Sequence, residues 1–483
     1  MDVDVEARIA GLEARLELAL ADNERLRSEN ERLRVRVAEL ESRLGKNSTN
    51  SSMPPSRDDA AARAERAKRA SQRPKSRRKP GGQHGRRGNT MRRVDDPDLV
   101  VEHRPESCSG CGTGLEAAVE HGRRHRRQVF DIVGRPVEVT EHQTVTCRCP
   151  CGHDTTGSFP AEASGPAVWG PKTAALAVTL VIRQHVPYER AAEILAGIGA
   201  AVSVGWIHTQ VRRAAALLAG WLAHLRARLT AAAVLHADET SARVAGATWW
   251  FHVASTSLLT LLVAHRSRGQ TAIDDAGVLA KMEGTLVHDR AAMYWNYAGN
   301  RHGLCVAHLC RDLAGIATHR RHKAWAEALR AVLYEAKKTC DAARQRGEPA
   351  LGEEELEVIT AGYSAALDVA LETCDPCVHP DADTKGIHRS AQNLAAAFFD
   401  LQNEILAFTR DLQIPFDNNQ AERDLRMAKI AQKISYGWRT STGVETFAAV
   451  RSYIETGRKH GNHALDLLTQ LFTTGPWTIP HPT

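Results

Sequence analysis

The chain reads as a multidomain α+β protein, and three observations carry that reading. The first 45 residues hold a heptad repeat, short apolar runs of strand length lie between Ala232 and Ala307, and helical spacing fills most of the rest. At 483 residues there is room for roughly two to four domains. A hydrophobic content of 43% with 25% charged residues is that of a globular chain, which excludes a disordered polyelectrolyte. The acidic opening Met1-Asp2-Val3-Asp4 lacks a secretory signal pattern. The best apolar candidate, Leu258 to Ala264, is far too short to span a bilayer. A cytoplasmic protein without a membrane partner is expected, so the ten cysteines suit metal binding or packing better than disulfides.

Residues 5–45 are read as a leucine-zipper coiled coil. With Ile9, Leu16, Asn23, Asn30, Val37 and Leu44 at position a, Leu12, Ala19, Leu26, Leu33 and Leu40 fall at d. In a parallel dimer Asp22 then faces Arg27, Glu29 faces Arg34, and Arg36 faces Glu41. Two asparagines at a cost stability but favour two strands in one register. A solvated helix packed on its own domain is the plainer alternative; the opposite-sign pairs favour a homodimer. Residues 46–96 are read as a basic flexible linker. Lys46 to Ser56 is rich in turn formers and proline, and between Arg63 and Arg93 Glu65 is the only acid. The stretch cannot build a core. Arg77, Arg78 and Lys79 are its expected contacts to a phosphate backbone, made without reading sequence.

Residues 97–160 are expected to form a zinc-ribbon-like module. Cys108 and Cys111 make a C-x-x-C knuckle, and Cys147, Cys149 and Cys151 follow a β-rich stretch from Val129 to Thr146. Four thiolates close a tetrahedron around structural Zn²⁺. The expected set is Cys108, Cys111, Cys147 and Cys151, with Cys149 as a competing ligand. Residues 165–228 read as helical. Within them Tyr188–Ala196 and a helix from about Gly205 to Leu218, around the turn Gly197-Ile198-Gly199 and with Ser203 as N-cap, have the layout of a helix-turn-helix that contacts DNA. Ordinary helical packing explains that pattern equally well.

From Ala232 the texture turns to strands. Val234–His236 runs into Asp238, Thr248–Ala254 and Leu258–His265 flank a turn, Thr285–His288 runs into Asp289, and Leu304–Ala307 leads into a helix. Three strands and then two more, with acids ending the first and fourth, is the strand sequence of an RNase H-like α/β core, here residues 229–312 and 412–440. The gap of about 130 residues from Asp289 to Glu422 is too long for a loop. Helical patterns at Ala324–Thr339, Glu353–Leu371 and Ser390–Phe408 make residues 313–411 an all-helical insertion, and residues 441–483 a C-terminal helical region.

Asp238, Asp289 and Glu422 are the candidate catalytic residues. Acids on rigid strand ends can hold Mg²⁺ or Mn²⁺, and two such ions about 4 Å apart are the apparatus of phosphoryl transfer. Each aspartate alone is an ordinary turn or cap acid. Glu422 has a specific rival role: with Asn419 as N-cap it falls at N3 of a capping box. Its company argues for more, because Arg426, Lys429 and Lys433 follow on its helix face as a basic stripe suited to DNA. Glu239 points elsewhere if Asp238 faces the site. His308 and Arg311 share a helix face and are candidate supporting contacts to phosphate or to metal-bound water, with Asn418, Asn419 and Arg423 around Glu422. Cys374-Asp375-Pro376-Cys377, with His379 nearby, has knuckle spacing, but no partner pair is visible, so it reads as a loop of the insertion.

The order of several motifs resembles the IS-sixty-six family of bacterial insertion-sequence transposases. They are Gly45-Lys46-Asn47-Ser48-Thr49-Asn50-Ser51-Ser52 with Pro54-Pro55-Ser56, Cys108-x-x-Cys111, Asp238-Glu239-Thr240 with Trp249-Trp250, and Val287-His288-Asp289 with Tyr294. Cys305-x-Ala307-His308, Asp417-Asn418-Asn419-x-Ala421-Glu422-Arg423, Gly443 and Thr456-x-x-Lys459-His460-Gly461 complete them. The resemblance implies a DDE transposase with an RNase H-like core and the triad on Asp238, Asp289 and Glu422. It implies that linker, zinc module and helix-turn-helix recognise terminal inverted repeats, and that the protein joins nucleoid DNA when bound. Target DNA is a second nucleic-acid partner, and accessory proteins encoded by the element are left open. A zipper-dimerised DNA-binding regulator without catalysis, and a nuclease that cuts without joining, are the competing readings.

Overall fold

Ala-rich helix gives way to β-branched and aromatic residues beyond residue 232, and that change decides where the sheet forms. The computed structural model describes residues 20–34, 36–37, 95–96, 100, 111, 137–148, 154–156, 158–159, 165–375 and 386–480. Two short strands, β1 (Thr146–Arg148) and β2 (Asp154–Thr156), pair antiparallel. Of the expected β-rich stretch Val129 to Thr146, residues 129–136 lie outside the described residues, 137–145 have no regular structure, and Thr146 opens β1. The main sheet holds β3 (Val234–Val244), β4 (Ala247–Ser255), β5 (Thr260–His265), β6 (Thr285–His288) and β7 (Arg301–Leu304). Its order is β5-β4-β3-β6-β7. β3, β4 and β5 pair antiparallel, whereas β6 and β7 run parallel to β3. The fifth strand ends where Leu304–Ala307 was expected to begin, because Val306 already opens a helix.

Between residue 165 and the main sheet lie α1 (Pro171–Val178), continued by a π-helical turn at Thr179–Arg183, then α2 (Tyr188–Gly197), α3 (Val204–Leu217) and α4 (Ala219–Thr230). Ser203 caps α3 as its sequence suggests, accepting from the Trp206 amide at 3.1 Å. Tyr188 stacks on His208 with ring centroids 3.7 Å apart, which locks α2 on α3. Within the sheet region lie α5 (Gln270–Ala276) and α6 (Val306–Ile316). The helical block that follows has α7 (Lys323–Arg346), α8 (Glu353–Cys374), α9 (Gly386–Asp400), and two single turns, α10 (Gln402–Ile405) and α11 (Ala407–Arg410). The chain closes with α12 (Asn419–Ser435), α13 (Ser441–Lys459) and α14 (Ala464–Thr473).

The helical block does not hold a core of its own. Leu329, Leu333, Tyr363 and Phe398 belong to one buried cluster with Val287 of β6, Leu304 of β7 and Leu309 of α6. Apolar burial at about 25 cal/mol per Å² therefore fastens the block onto the β6–β7 side of the sheet. At its exit Arg344 donates to the carbonyls of Leu412 and Ile414, both at 3.0 Å, and so fixes the segment that leads to Glu422. On the opposite edge α13 covers β5. Thr456 Oγ1 accepts from the Thr260 amide at 3.0 Å, and Ser452 Oγ accepts from the Leu262 amide at 2.8 Å. Helix hydroxyls thus satisfy an edge that would otherwise offer itself to another strand.

Residues 68–140 separate from the rest of the chain as a unit of their own. Residues 20–34 are helical, and the zipper positions Leu26 and Leu33 are 53% and 56% exposed in the single chain. Asp22 and Glu31 make ion pairs within that helix, to Arg25 and Arg34. Among the described residues no helix is long and apolar enough to cross a membrane.

Candidate active site

β3 and β6 pair in parallel only as far as His236 with Val287. Two residues further along each strand stand Asp238 and Asp289, level with one another in that register. Asp238 is not at a strand end, as the sequence suggested. β3 runs on to Val244 because β4 pairs with it throughout, Asp238 lying opposite Val253. β6 stops at His288, so the edge of β3 that faced it is released at Asp238. Asp289 opens the loop beyond, its Oδ1 accepting from the Ala291 amide at 3.1 Å. Arg290, the next residue, has φ 71°, a left-handed conformation uncommon for a residue with a side chain and often found at functional sites.

α12 takes over the released edge. Asn418 Nδ2 donates to the Ala237 carbonyl at 2.8 Å, Lys429 Nζ to the Ser241 carbonyl at 2.6 Å, and the Trp438 amide to the Arg243 carbonyl at 2.9 Å. Three carbonyls along one edge of β3 are therefore met by one helix and its exit, where a neighbouring strand would have met them. Gly437 allows the close approach: its φ is 117°, and a Cβ there would lie 2.4 Å from the Arg243 carbonyl oxygen.

This packing overturns the capping box. The helix starts at Asn419, its N-cap is Asn418, and the Asn418 side chain makes no cap bond. That side chain is spent on β3, where Oδ1 also accepts from His236 Nδ1 at 2.8 Å. Asp417 Oδ1 accepts from the Asn419 amide at 3.0 Å instead, and Asn419 itself is exposed. Glu422 consequently stands one position deeper than N3, free of capping duty, in the first turn.

Glu422 Oε1 lies 3.6 Å from Arg311 Nη2 and 3.7 Å from His308 Nε2, both carried on α6. The start of α6 is tied to the same region, since the Val306 amide donates to the Phe416 carbonyl at 3.0 Å and the Cys305 amide to the His288 carbonyl at 2.8 Å. Buried Cys305, which the sequence showed only as part of a motif, is a hub. Its Sγ accepts from the Asn418 amide at 3.2 Å and lies 3.0 Å from His308 Nδ1. Burial pushes this thiol up to about 12, so it keeps its proton. Donation of that proton to Nδ1 leaves the His308 Nε2–H facing Glu422.

Asp238 and Glu422 are shifted by burial and by the charges around them. Burial, and next the negative charge of Asp289, hold the Asp238 carboxyl well above the usual range; Glu239 and Glu422 add to the rise. Glu422 is also raised, first by burial, with Arg311 opposing and Asp417 and Asp289 contributing. Crowded carboxylates of this kind are relieved by a hard divalent cation, which lets each keep its charge. The donor set fits such a cation. His308 is held down at about 4, by burial first and then by Arg311, and is neutral at pH 7.

The remaining expectations fall in different places. Glu239 is held in a network of its own, and burial, then the charge of Asp289, raise its carboxyl: Oε2 accepts from the Tyr294 hydroxyl at 2.8 Å, and Oε1 from Arg268 Nε at 2.9 Å and Nη2 at 2.8 Å. Arg423, Arg426 and Lys433 are exposed on α12, whereas Lys429 is half-buried and binds Ser241. The stripe is therefore split between solvent and the sheet. Asp424 carries no signal of its own in the sequence. It is buried one turn beyond Gln420, with Oδ2 accepting from Lys459 at 2.8 Å and from Thr260 at 3.0 Å. Lys459 also donates to the carbonyls of Thr256 and Leu259, both at 2.8 Å, so the closing motif is a clasp that holds α12 and α13 to β5. Arg77, Arg78, Lys79, Cys108, Cys149 and Cys151 lie outside the described residues; Cys111 is exposed, and Cys147 lies on β1 opposite Thr155.

The model of the Transposase IS66 family matches residues 166–446, which takes in the whole main sheet, the helical block and all of α12. The chain belongs to the Transposase IS66 family. The protein is thus a transposase, with DNA as its partner. Residues 5–92 of the transposase match the model of a family of unknown function, DUF6444. No curated protein matches the chain.

Proposed function

We propose that this transposase is of the DDE type and uses Asp238, Asp289 and Glu422 to cut and join DNA. What supports the reading is the register that sets Asp238 and Asp289 level beyond the β3–β6 pairing, together with the mutual charge effects that tie Glu422 of α12 to both. The strand order, with three antiparallel strands continued by two parallel ones, supports an RNase H-like core. Two Mg²⁺ or Mn²⁺ ions, when bound, would activate water or a 3′-hydroxyl and stabilise the leaving oxygen.

The chain's own residues do the rest. Asp238 and Asp289 offer carboxylate oxygens from backbone held by β4 and β6. Asn418 fixes the height of α12 on β3 and so aims Glu422. His308 presents Nε2–H, and Arg311 a permanent positive charge, at Glu422. When Glu422 turns to a cation, Arg311 is free to bind a phosphate oxygen. Exposed Arg423, Arg426 and Lys433 extend that positive surface along α12. In the same proposal the zipper of residues 5–45 dimerises the protein on two element ends, and Arg77, Arg78 and Lys79 grip the backbone. The cysteine module, with structural Zn²⁺ on Cys108, Cys111, Cys147 and Cys151 (or Cys149), and α2–α3 hold the terminal inverted repeats.

The test is Glu422→Gln in the full-length protein with element-end DNA. Binding is expected to persist while cleavage and strand transfer fall by about 10²–10³-fold, the scale of losing one transition-state contact. Undiminished strand transfer would refute the assignment of Glu422. Wild-type protein that binds ends yet neither cuts nor joins at any Mg²⁺ or Mn²⁺ concentration would favour a regulator, and cut but unjoined products a nuclease.

A further inference from the structure

Three histidines meet on the helical block, well away in sequence from the three acids. His319 and His322 occupy the turn between α6 and α7, and His388 lies in the first turn of α9. One ring nitrogen from each lies within 4.8 Å of the other two. His322 Nε2 and His388 Nδ1 are 2.8 Å apart, and the His319 and His388 ring centroids are 4.7 Å apart. His322 is buried at 2% exposure, while His319 and His388 are half-buried and border solvent. The knuckle at Cys374 had no visible partner in the sequence; the fold brings this triplet beside it, with Cys374 Sγ 3.9 Å from His322 Nδ1.

We infer that His319, His322 and His388 form a binding site for a borderline divalent ion of the Zn²⁺ class. Three imidazoles from two chain segments, one pair at i and i+3, are donors of the right type, and solvent supplies the fourth position. Tetrahedral Zn–N bonds of about 2.0–2.1 Å set nitrogens about 3.3 Å apart, so loading widens the His322–His388 pair slightly and draws His319 inward. The ion takes the place of the proton that His322 Nε2 shares with His388 Nδ1, and that proton moves to His322 Nδ1, so the ring stays neutral. Nδ1 then donates toward Cys374 Sγ, which fills the place of the outer contact that metal-bound histidines make. The 3.3 Å bond that Trp325 Nε1 makes to this Nδ1 is given up in exchange. Cys374 is thus a positioning residue and not a ligand. The site staples the α6–α7 turn to the start of α9, and α6 carries His308 and Arg311, so the ion would stiffen the helix that faces Glu422.

The experiment uses full-length protein in which Cys108, Cys111, Cys147, Cys149 and Cys151 are all replaced by serine, so that no thiolate of the expected zinc module remains. After chelation it is titrated with Co²⁺ and, separately, with Zn²⁺. The expected result is one equivalent of Co²⁺ bound, with visible d–d bands and no thiolate charge-transfer band. A change in tryptophan fluorescence should accompany it and be lost in Trp325→Phe. His319→Ala and His388→Ala, checked for folding by circular dichroism, should each lower affinity at least about 10-fold, the scale of losing support for a bound metal. Absence of cobalt bands in the cysteine variant overturns the proposal without recourse to the histidine variants. So does unchanged Co²⁺ affinity in the folded histidine variants, or a strong thiolate band.

Discussion

Replacing Asn418 with alanine tests the joint on which the candidate site depends. The side chain is 1% exposed and makes two bonds, accepting from His236 Nδ1 and donating to the Ala237 carbonyl, both at 2.8 Å. Truncation leaves a buried ring nitrogen and a buried carbonyl without these partners. Each orphaned group costs about 1–3 kcal/mol, so the loss should be roughly 2–6 kcal/mol if no water enters. At about 2–4 °C per kcal/mol, the scale for large domains, the melting temperature should fall by roughly 4–24 °C. Differential scanning fluorimetry with and without Mg²⁺ measures it. A second readout is DNA cleavage below the new melting temperature. If Asn418 aims Glu422, kcat should fall at least about 10-fold in protein that is still folded, because misplacement by an ångström has costs of that order or more. A melting temperature unchanged from wild type, with cleavage intact, would show that α12 reaches β3 without Asn418.

Asp238→Asn should stabilise the metal-free protein at pH 7. A carboxyl held above its ordinary value costs stability above that value, and the cost is relieved as pH falls through the folded pKa; the gap in melting temperature between variant and wild type should therefore close on acidification. Mg²⁺ at about 100 times its dissociation constant should stabilise wild type by about 2.7 kcal/mol and leave Asp238→Asn almost unmoved. Lys459→Met removes the partner of buried Asp424 and should cost about 3–5 kcal/mol, read by urea denaturation. Gly437→Ala forces a Cβ against the Arg243 carbonyl at a φ of 117°, with an expected loss of roughly 2–5 kcal/mol and a lower soluble yield.

The strands were legible because apolar runs of β-branched residues have few other uses, and four of the five main-sheet strands begin within two residues of where they were expected. Strand length was not legible. β3 outruns its apolar run because β4 pairs with every residue to Val244, and the polar Glu239-Thr240-Ser241 segment is carried along. The capping box failed for a related reason. Asn419 and Glu422 have the local spacing, but the amide beside them is claimed by a strand 182 residues earlier, and local rules do not see such a contact. The basic stripe on α12 had the right helical spacing; which part of it faces solvent depended on where β3 lay, and Lys429 went to the sheet. Cys305 and Lys459 were visible only as parts of motifs, since a hub and a clasp show their roles when their partners are in place.

The bond between His236 and Asn418 also sets a clock. The two residues are 182 positions apart, and a ribosome adding about 5–20 residues per second needs roughly 10–40 s to travel from one to the other. For all that time the nascent chain carries Asp238, and for most of it Asp289 as well, without the helix that bears Glu422. Any product cut short within the helical block would be in the same state for good. Synthesis itself therefore keeps the three acids apart until nearly the whole chain has emerged.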